Sequence, residues 1–155
     1  MRPTCYVREA SLLDAFRLAP HLRVADRNEV SASTDGKNEL LVLLDCLEWS
    51  EWALAICSTD DDEVIALCGV AGADRVTGIP WLLASDELVK HSITFLRCSY
   101  SIVMLMQAYY PILTNHVDAR NTTHIRWLKW CGFYFDTAQD IYPNGYRFHQ
   151  FSMGF

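Results

Sequence analysis

The stretch Pro111–Phe135, PILTNHVDARNTTHIRWLKWCGFYF, contains most of the signals that decide the fold of this chain. Its residues Ile112–Ala119 are typical of a strand. After a turn, Asn121 or Thr122 is placed to cap a short helix, because its side-chain oxygen can accept hydrogen bonds from free N–H groups of the first turn. Gly132 follows where helices commonly end through a left-handed residue, and an aromatic run then restarts extended structure. The stretch predicts a strand, a helix and a second strand in close succession.

This strand–Asn–helix–Gly-Phe unit resembles the C-terminal half of the GNAT superfamily of N-acyltransferases. In that superfamily the strand ends in Asn, and a small residue, a Tyr and a Gly-Phe pair follow three, seven and eleven positions later. The corresponding residues here are Asn121, His124, Leu128 and Gly132-Phe133. The frame of the motif matches, whereas Leu128 stands where the family has its tyrosine acid.

Two segments also resemble a narrower group, the GNAT-like small internal virion proteins of short-tailed phages. They are WLLASDELVKH, residues 81–91, and ARNTTHIRWLKWCGFYF, residues 119–135. The resemblance implies a protein located in the virion and in the host cytoplasm. It implies other virion proteins or host proteins as partners.

The order of predicted elements along the whole chain is that of an α+β protein. A first strand, two helices and an added helix capped by Asn38 precede a three-strand meander. A long helix over Asp86–Tyr109, capped by Ser85, leads into the stretch described above, and a hairpin turning at Pro143-Asn144-Gly145 ends the chain. No internal repeat or linker is present, so we predict one GNAT-like domain over residues 1–155. Its sheet is expected to be mixed, mostly antiparallel and covered by helices on both sides.

The helix after Pro20 carries a further pattern. Leu22-Arg23, then Asp26, then Glu29 resembles the corresponding helix of GNAT proteins. We predict a helix over Asp26–Ser33, with Asp26 as N-cap and Glu29 completing a capping box.

Pro80 interrupts the predicted strand Gly78–Ala84. Because proline has no N–H for a sheet ladder, the strand needs an edge or a bulge there. The resemblance implies a bulge, since the fourth strand of GNAT folds splays from the fifth to admit acyl-CoA.

Composition argues against several classes of function. The formal net charge is −6, which argues against nucleic-acid binding, because phosphate contacts need clustered cations. No apolar run reaches the ~18 residues of a membrane span, so no membrane association is expected. Six cysteines without a CxxC pair or a secretion signal predict reduced, buried thiols. No zinc-ligand spacing occurs, and the acidic run Asp60–Glu63 is typical of a solvated turn, so no metal site is predicted.

The start of the long helix bears on cofactor binding. A GNAT acyltransferase holds the diphosphate of coenzyme A at a glycine-rich turn there, through N–H groups and the helix dipole. This chain has Leu83-Ala84-Ser85-Asp86-Glu87-Leu88, with no glycine and with two carboxylates in the first turn. If acyl-CoA binds, Leu83, Ser85, Asp86 and Asn121 are the candidate contacts. The prediction is no cofactor, with acetyl-CoA as the alternative.

Acyl transfer also needs a base for the amine. The glutamate that often serves the family on its fourth strand is missing, and His116 on the fifth strand or His124 on the following helix could substitute for it, because histidine titrates near neutrality. Both histidines can equally be structural or surface residues. Asn121 is the other candidate catalytic residue, although holding the strand-to-helix turn is the simpler interpretation.

These features leave three hypotheses for the function. The first is a non-catalytic, GNAT-fold phage protein that binds other proteins during virion assembly or genome ejection. The second is an active acyl-CoA-dependent N-acetyltransferase, which would modify a host protein. The third is an inhibitor of host functions that is absent from the virion.

Overall fold

The computed structural model describes residues 3–154, and its seven strands are β1 (Cys5–Glu9), β2 (Ser50–Ser58), β3 (Val64–Gly72), β4 (Thr77–Ala84), β5 (Ile112–Asp118), β6 (Tyr134–Ile141) and β7 (Phe148–Met153). The helices are α1 (Leu12–Leu18), α2 (Val24–Ser33), α3 (Glu39–Trp49), α4 (Glu87–Lys90), α5 (Ser92–Tyr109) and α6 (Thr122–Trp130). Short 3-10 turns lie at Ala19–His21 and Pro143–Gly145. Within residues 3–154 no helix combines the length and the apolar character needed to cross a lipid bilayer.

The strands form one mixed sheet in the order β1-β2-β3-β4-β5-β7-β6. Only β4 and β5 are parallel neighbours, and every other neighbouring pair in this sheet is antiparallel. One core cluster joins α5 and α6 to one face of the sheet, and a second joins α1, α2 and α3 to the other face. The predicted α+β architecture, with helices on both sides of a mostly antiparallel sheet, is confirmed.

β4 and β5 pair over a short distance and then separate. Their register contains two pairs, Thr77 with Ile112 and Gly78 with Leu113. β4 meanwhile stays paired with β3 along its length, as far as Ala84. The sheet therefore has an opening between the C-terminal parts of β4 and β5.

Pro80 lies at the start of this opening. Its carbonyl oxygen accepts a 2.8 Å hydrogen bond from Nδ2 of Asn115 on β5. Because the backbone nitrogen and oxygen of one strand residue point to the same side, the proline nitrogen also faces the opening. The β3–β4 register passes Pro80 without a shift. Of the two expected solutions, the strand uses a free edge and not a bulge.

The prediction for α2 is wrong in its first turn. The helix begins at Val24 with Arg23 at the N-cap position, two residues earlier than expected. Asp26 and Glu29 form no capping box, because both carboxylates bind backbone N–H groups of other elements, those of Ala84 and Asp118. These long-range bonds fix α2 against β4 and β5.

The predicted long helix is divided in two. α4 is a single turn, and His91 separates it from α5 with φ −112° and ψ 20°. Ser85 does not cap α4, because its hydroxyl donates to the carbonyl of Ile65 on β3 at 3.2 Å. The start of the helix is thereby held by the sheet.

The predicted terminal hairpin is present as β6 and β7, although β7 lies between β5 and β6 in the sheet. Asn144 in its turn has φ 52°, a left-handed conformation that asparagine tolerates. Its Nδ2 donates to the carbonyl of Ala32 at 2.8 Å. The hairpin turn is thus attached to the end of α2, beside the opening.

Candidate functional site

A cavity of ≈ 310 Å³ occupies the opening between β4 and β5. Trp81 and Leu83 line it together with residues of α2 and α3, and Leu82 lines it together with residues of α5. Alternate residues of a strand point to opposite faces of the sheet. The cavity therefore passes through the sheet and connects its two faces.

The backbone of β4 faces this cavity at alternate residues. The N–H of Ala84 donates to Oδ2 of Asp26 at 2.9 Å, and its carbonyl accepts from the N–H of Arg23 at 2.9 Å. Pro80 faces the same side, as its bond to Asn115 shows. Leu82 lies midway between Pro80 and Ala84 and has the same orientation. Its N–H and C=O consequently point into the opening and lie outside the β3–β4 ladder.

A buried polar network closes one end of the opening. Asp26 is 1% exposed, and its Oδ1 accepts from Nδ2 of Asn121 at 3.0 Å. Nη1 of Arg23 lies 3.8 Å from the same oxygen. Burial raises the pKa of Asp26, while Arg23 and the hydrogen bonds from Ala84 and Asn121 act in the opposite direction. The network fixes the start of α2 to the end of β4 and to α6.

Asn121 is the N-cap of α6, as predicted for Asn121 or Thr122. Its Oδ1 accepts from the N–H of His124 and from Nη2 of Arg23, each at 3.4 Å. The residue is 1% exposed. These contacts explain a structural role for Asn121, and its catalytic and cofactor-binding roles stay predictions.

Glu29 brings a carboxyl group to the wall of the cavity. Its Oε1 accepts a 2.8 Å hydrogen bond from the N–H of Asp118 at the end of β5. The pKa of Glu29 is raised to about 8, mainly by burial and to a lesser extent by the neighbouring carboxylates of Asp26 and Asp118. The hydrogen bond from the N–H of Asp118 acts in the opposite direction. A carboxyl group with a pKa near neutrality in a cavity is suited to accept a proton from a substrate.

His124 on α6 lies close to Asp26 and Glu29 and is 9% exposed. Burial, and to a lesser extent the charge of Arg23, lowers the pKa of His124 to about 4, so its ring is neutral at pH 7. The ring packs on Trp127 with centroids 5.4 Å apart. Within residues 3–154 no hydrogen-bond partner reaches its ring nitrogens.

Asp26, Glu29 and His124 place one possible ligand atom each within 4.8 Å of one another, a spacing at which a cation could bind. Asp26 already accepts two hydrogen bonds, and Arg23 supplies positive charge beside it. The positive charge of Arg23 opposes a cation at this position.

The structure brings together only part of the predicted site. His116 and Leu83 line the cavity beside Glu29. Ser85 and Asp86 do not line it. Ser85 is 4% exposed, and its N–H and hydroxyl both donate to the carbonyl of Ile65.

A second groove of ≈ 680 Å³ lies on the outer side of the opening, between α6 and the α4–α5 segment. It adjoins the cavity, because Leu82, Phe95, His124 and Trp127 line both. Its remaining walls carry the apolar side chains of Leu88, Val89, Leu96 and Trp130 and the polar ones of Arg23, Ser92, Thr123 and Arg126. The indole N–H of Trp127 is buried and has no hydrogen-bond partner within the described residues.

Three backbone N–H groups around the start of α4 are already hydrogen-bonded within the protein and are not available to a diphosphate. The N–H groups of Leu88 and Val89 donate to the carbonyls of Ser85 and Asp86, and that of Ser85 is also engaged. The exposed side chains of Asp86 and Glu87 add two carboxylates, of which Glu87 pairs with Lys90 at 2.9 Å. The residues present at this turn therefore do not fit the diphosphate of coenzyme A.

Sequence reasoning missed Glu29 as a site residue, because a glutamate three positions after Asp26 also satisfies a capping box. The sequence signal that could have identified Glu29 is the spacing of the charged residues Arg23, Asp26 and Glu29 at intervals of three. Residues three apart share one face of a helix, and charged groups together on a face that packs against a sheet indicate a site.

Neither a protein-family model nor a curated protein sequence matches this chain. Several solved structures do match this chain. A ribosomal-protein-alanine N-acetyltransferase from Brucella melitensis has a TM-score of 0.69 and 12% identity, over 97% of this chain and 99% of that one. The ribosomal-protein-S5-alanine acetyltransferase from Vibrio fischeri has a TM-score of 0.66 and 14% identity, over 99% and 94%.

A GNAT superfamily phosphinothricin acetyltransferase from Sinorhizobium meliloti, solved in complex with AcCoA, has a TM-score of 0.67 and 10% identity, over 97% of this chain and 88% of that one. At these identities the similarity shows the fold and not the activity. The chain has the GNAT fold.

Proposed function

We propose that this protein is an N-acyltransferase that moves an acyl group from a thioester to an amine. One observation carries the proposal: the cavity through the sheet has the N–H of Leu82, which lies outside the β3–β4 ladder, at its edge and the carboxyl group of Glu29 in its wall. The two reactants can therefore approach from opposite faces of the sheet. The similarity to acetyltransferase structures, one of them in complex with AcCoA, supports the same function.

In this proposal the N–H of Leu82 donates to the carbonyl oxygen of the thioester and stabilises the negative charge that develops there. Glu29 accepts a proton from the amine as the nitrogen forms its bond to the acyl carbon. The carbon–sulfur bond breaks, and the departing sulfur keeps the bonding electrons. His124, neutral because its pKa is about 4, cannot supply a proton as an imidazolium, and Leu128 has none to give. The thiolate takes a proton from solvent, and Glu29 returns the proton of the amine to solvent.

The direct test is release of free thiol from acetyl-CoA and from S-acetylpantetheine in the presence of a lysine-containing and N-terminal-amine peptide library. Mass spectrometry of the peptides locates the added acetyl group. We expect transfer that is lost in Glu29→Gln. Absence of transfer from both thioesters over the whole library would overturn the proposal.

A second candidate function is that of a non-catalytic binding protein. Asp86 and Glu87 at the start of α4 favour it, because their exposed carboxylates repel the diphosphate of coenzyme A. In that case the protein acts by binding other virion or host proteins, in the virion and in the host cytoplasm. Mass spectrometry of purified phage particles, combined with calorimetric titration of acetyl-CoA and S-acetylpantetheine, separates the two. Presence in the particle without binding of either thioester supports the second candidate.

A further inference from the structure

We propose that the acyl donor is recognised through its pantetheine arm alone, and that the nucleotide diphosphate of coenzyme A makes no productive contact with this protein. The inference rests on the proposed function and specifies its acyl donor. The substrate class is an acylated pantetheine thioester, whatever the arm is attached to at its other end.

The groove between α6 and the α4–α5 segment has the shape and position for such an arm. It leads from the outer surface to Leu82, where the cavity through the sheet begins. Its walls carry the apolar side chains of Leu88, Phe95, Leu96 and Trp127. A linear arm with methylene and methyl groups would bury apolar surface against them.

Unsatisfied polar groups lie along the same groove. They are the indole N–H of Trp127, which is buried without a partner among the described residues, and the N–H of Leu82, which points into the adjoining opening outside the β3–β4 ladder. Buried polar groups normally have hydrogen-bond partners, so each such group indicates a missing partner. A pantetheine arm carries two amides and one hydroxyl besides its thioester, and these supply both acceptors and donors.

The outer end of the groove lacks what a diphosphate needs. α4 is one turn long, so few peptide dipoles are aligned behind its first N–H groups. The neighbouring N–H groups of Ser85, Leu88 and Val89 are hydrogen-bonded within the protein. Asp86 and Glu87, both exposed, repel an anion placed there.

Two arginines line the groove, and neither takes the place of these N–H groups. Arg23 is held by Asp26 and Asn121 in the buried network. Arg126 is exposed on α6, and one exposed cation adds little to the binding of a hydrated anion. Substitution of Arg126 therefore tests whether a phosphate group of coenzyme A contacts this side chain.

The experiment compares kcat/KM for acetyl-CoA and for S-acetylpantetheine with one peptide acceptor. We expect the two values to agree within about threefold, because a nucleotide left in solvent contributes no net binding energy. In the double variant Asp86→Ser, Glu87→Gly we expect kcat/KM for acetyl-CoA to rise about fivefold as the repulsion is removed. The value for S-acetylpantetheine should stay unchanged. Arg126→Ala should affect both thioesters alike.

A preference for acetyl-CoA of about a hundredfold or more, equivalent to about 2.8 kcal/mol, would overturn the inference. A selective loss of acetyl-CoA activity in Arg126→Ala would do the same. If neither thioester is a substrate, the proposed function fails, and calorimetric titration with coenzyme A and with pantetheine decides the inference separately. Equal affinities support it, whereas tighter binding of coenzyme A, or no binding of either compound, contradicts it.

Discussion

The two ends of the groove use their backbone groups in opposite ways. At the inner end the separation of β4 from β5 leaves the N–H and C=O of Leu82 outside any ladder. At the outer end the N–H of Ser85 is bound to the sheet, and those of Leu88 and Val89 are bound within α4. The inner end depends on strand geometry, which the whole sheet maintains. The outer end depends on one short loop at the start of α4.

The largest expected effect on the rate of acetyl transfer is at Glu29, in the cavity beyond the inner end of the groove. Glu29→Gln keeps the shape of the side chain and the hydrogen bond from Asp118, but it removes the proton acceptor. We expect kcat/KM for acetyl transfer to fall about 10²–10⁴-fold, the range usual for a general base. In the unmodified protein kcat/KM should rise with pH to a plateau above a pKa of about 8, because the ionised carboxylate is the active form.

The matched control for Glu29 is Glu48→Gln, a change at an exposed glutamate of α3. It should leave both the rate and its pH profile unchanged. If Glu29→Gln kept the inflection near pH 8, the base would have to be another group.

The next effect concerns the main chain of β4. Leu82→Pro removes the N–H that faces the opening without removing a β3–β4 ladder bond. Loss of one such hydrogen-bond donor typically costs about 10²–10³ in kcat. Leu82→Ala, which retains the N–H, is the matched control, and Leu83→Pro should unfold the protein because it breaks the ladder.

Circular dichroism and steady-state kinetics on the three variants would separate these effects. Equal kcat values for folded Leu82→Pro and for Leu82→Ala would show that the N–H at this position takes no part in the reaction.

A smaller effect, on stability, is expected for Asn121→Ala. The change removes the N-cap of α6 and a hydrogen bond to the buried carboxyl of Asp26. Together these losses should lower the free energy of unfolding by about 2–4 kcal/mol in urea denaturation. Asn38→Ala removes an exposed N-cap whose Oδ1 accepts from Leu40, and should cost about 1 kcal/mol. Equal costs would mean that the buried network contributes no stability of its own.

The smallest predicted effect is a dependence of stability on acid at His124. Its pKa is about 4 in the folded protein and 6.5 ordinarily, so the unfolded chain binds the proton more tightly. The stability from the neutral ring is complete above pH 6.5 and is lost as the pH falls towards 4. In His124→Gln the fall in free energy of unfolding over this range should be smaller by about 1–2 kcal/mol.

The control for His124 is His21→Gln, at an exposed histidine. Denaturation curves at several pH values between 6.5 and 4.5 should show no such difference for it. An identical acid sensitivity of the His124 variant and the unmodified protein would contradict the burial of a neutral ring.

The fold was predictable because its signals are local and repeat along the chain. The Asn121 cap, the Gly132 helix end and the Pro143–Gly145 turn each follow from residues close together in sequence, and the structure has all three. The site was less predictable. The role of Glu29 depends on Asp118, 89 positions away, and that of Asp26 on Ala84, 58 positions away.

Two predictions failed where a long-range bond replaced a local one. Ser85 was expected to cap the long helix, but the carbonyl of Ile65 accepts its hydroxyl. Asp26 was expected to cap α2, but it binds β4 and α6. In both cases the side chain has a partner on the sheet, and a single sequence without its fold gives no indication of that partner.

Amide hydrogen exchange resolved by residue, with and without saturating acetyl-CoA, tests both ends of the groove in one measurement. The account predicts that exchange at Leu82 slows by about tenfold or more as its N–H is hydrogen-bonded, while exchange at Asp86 and Glu87 stays the same. Slower exchange at Asp86 and Glu87 with no change at Leu82 would contradict it.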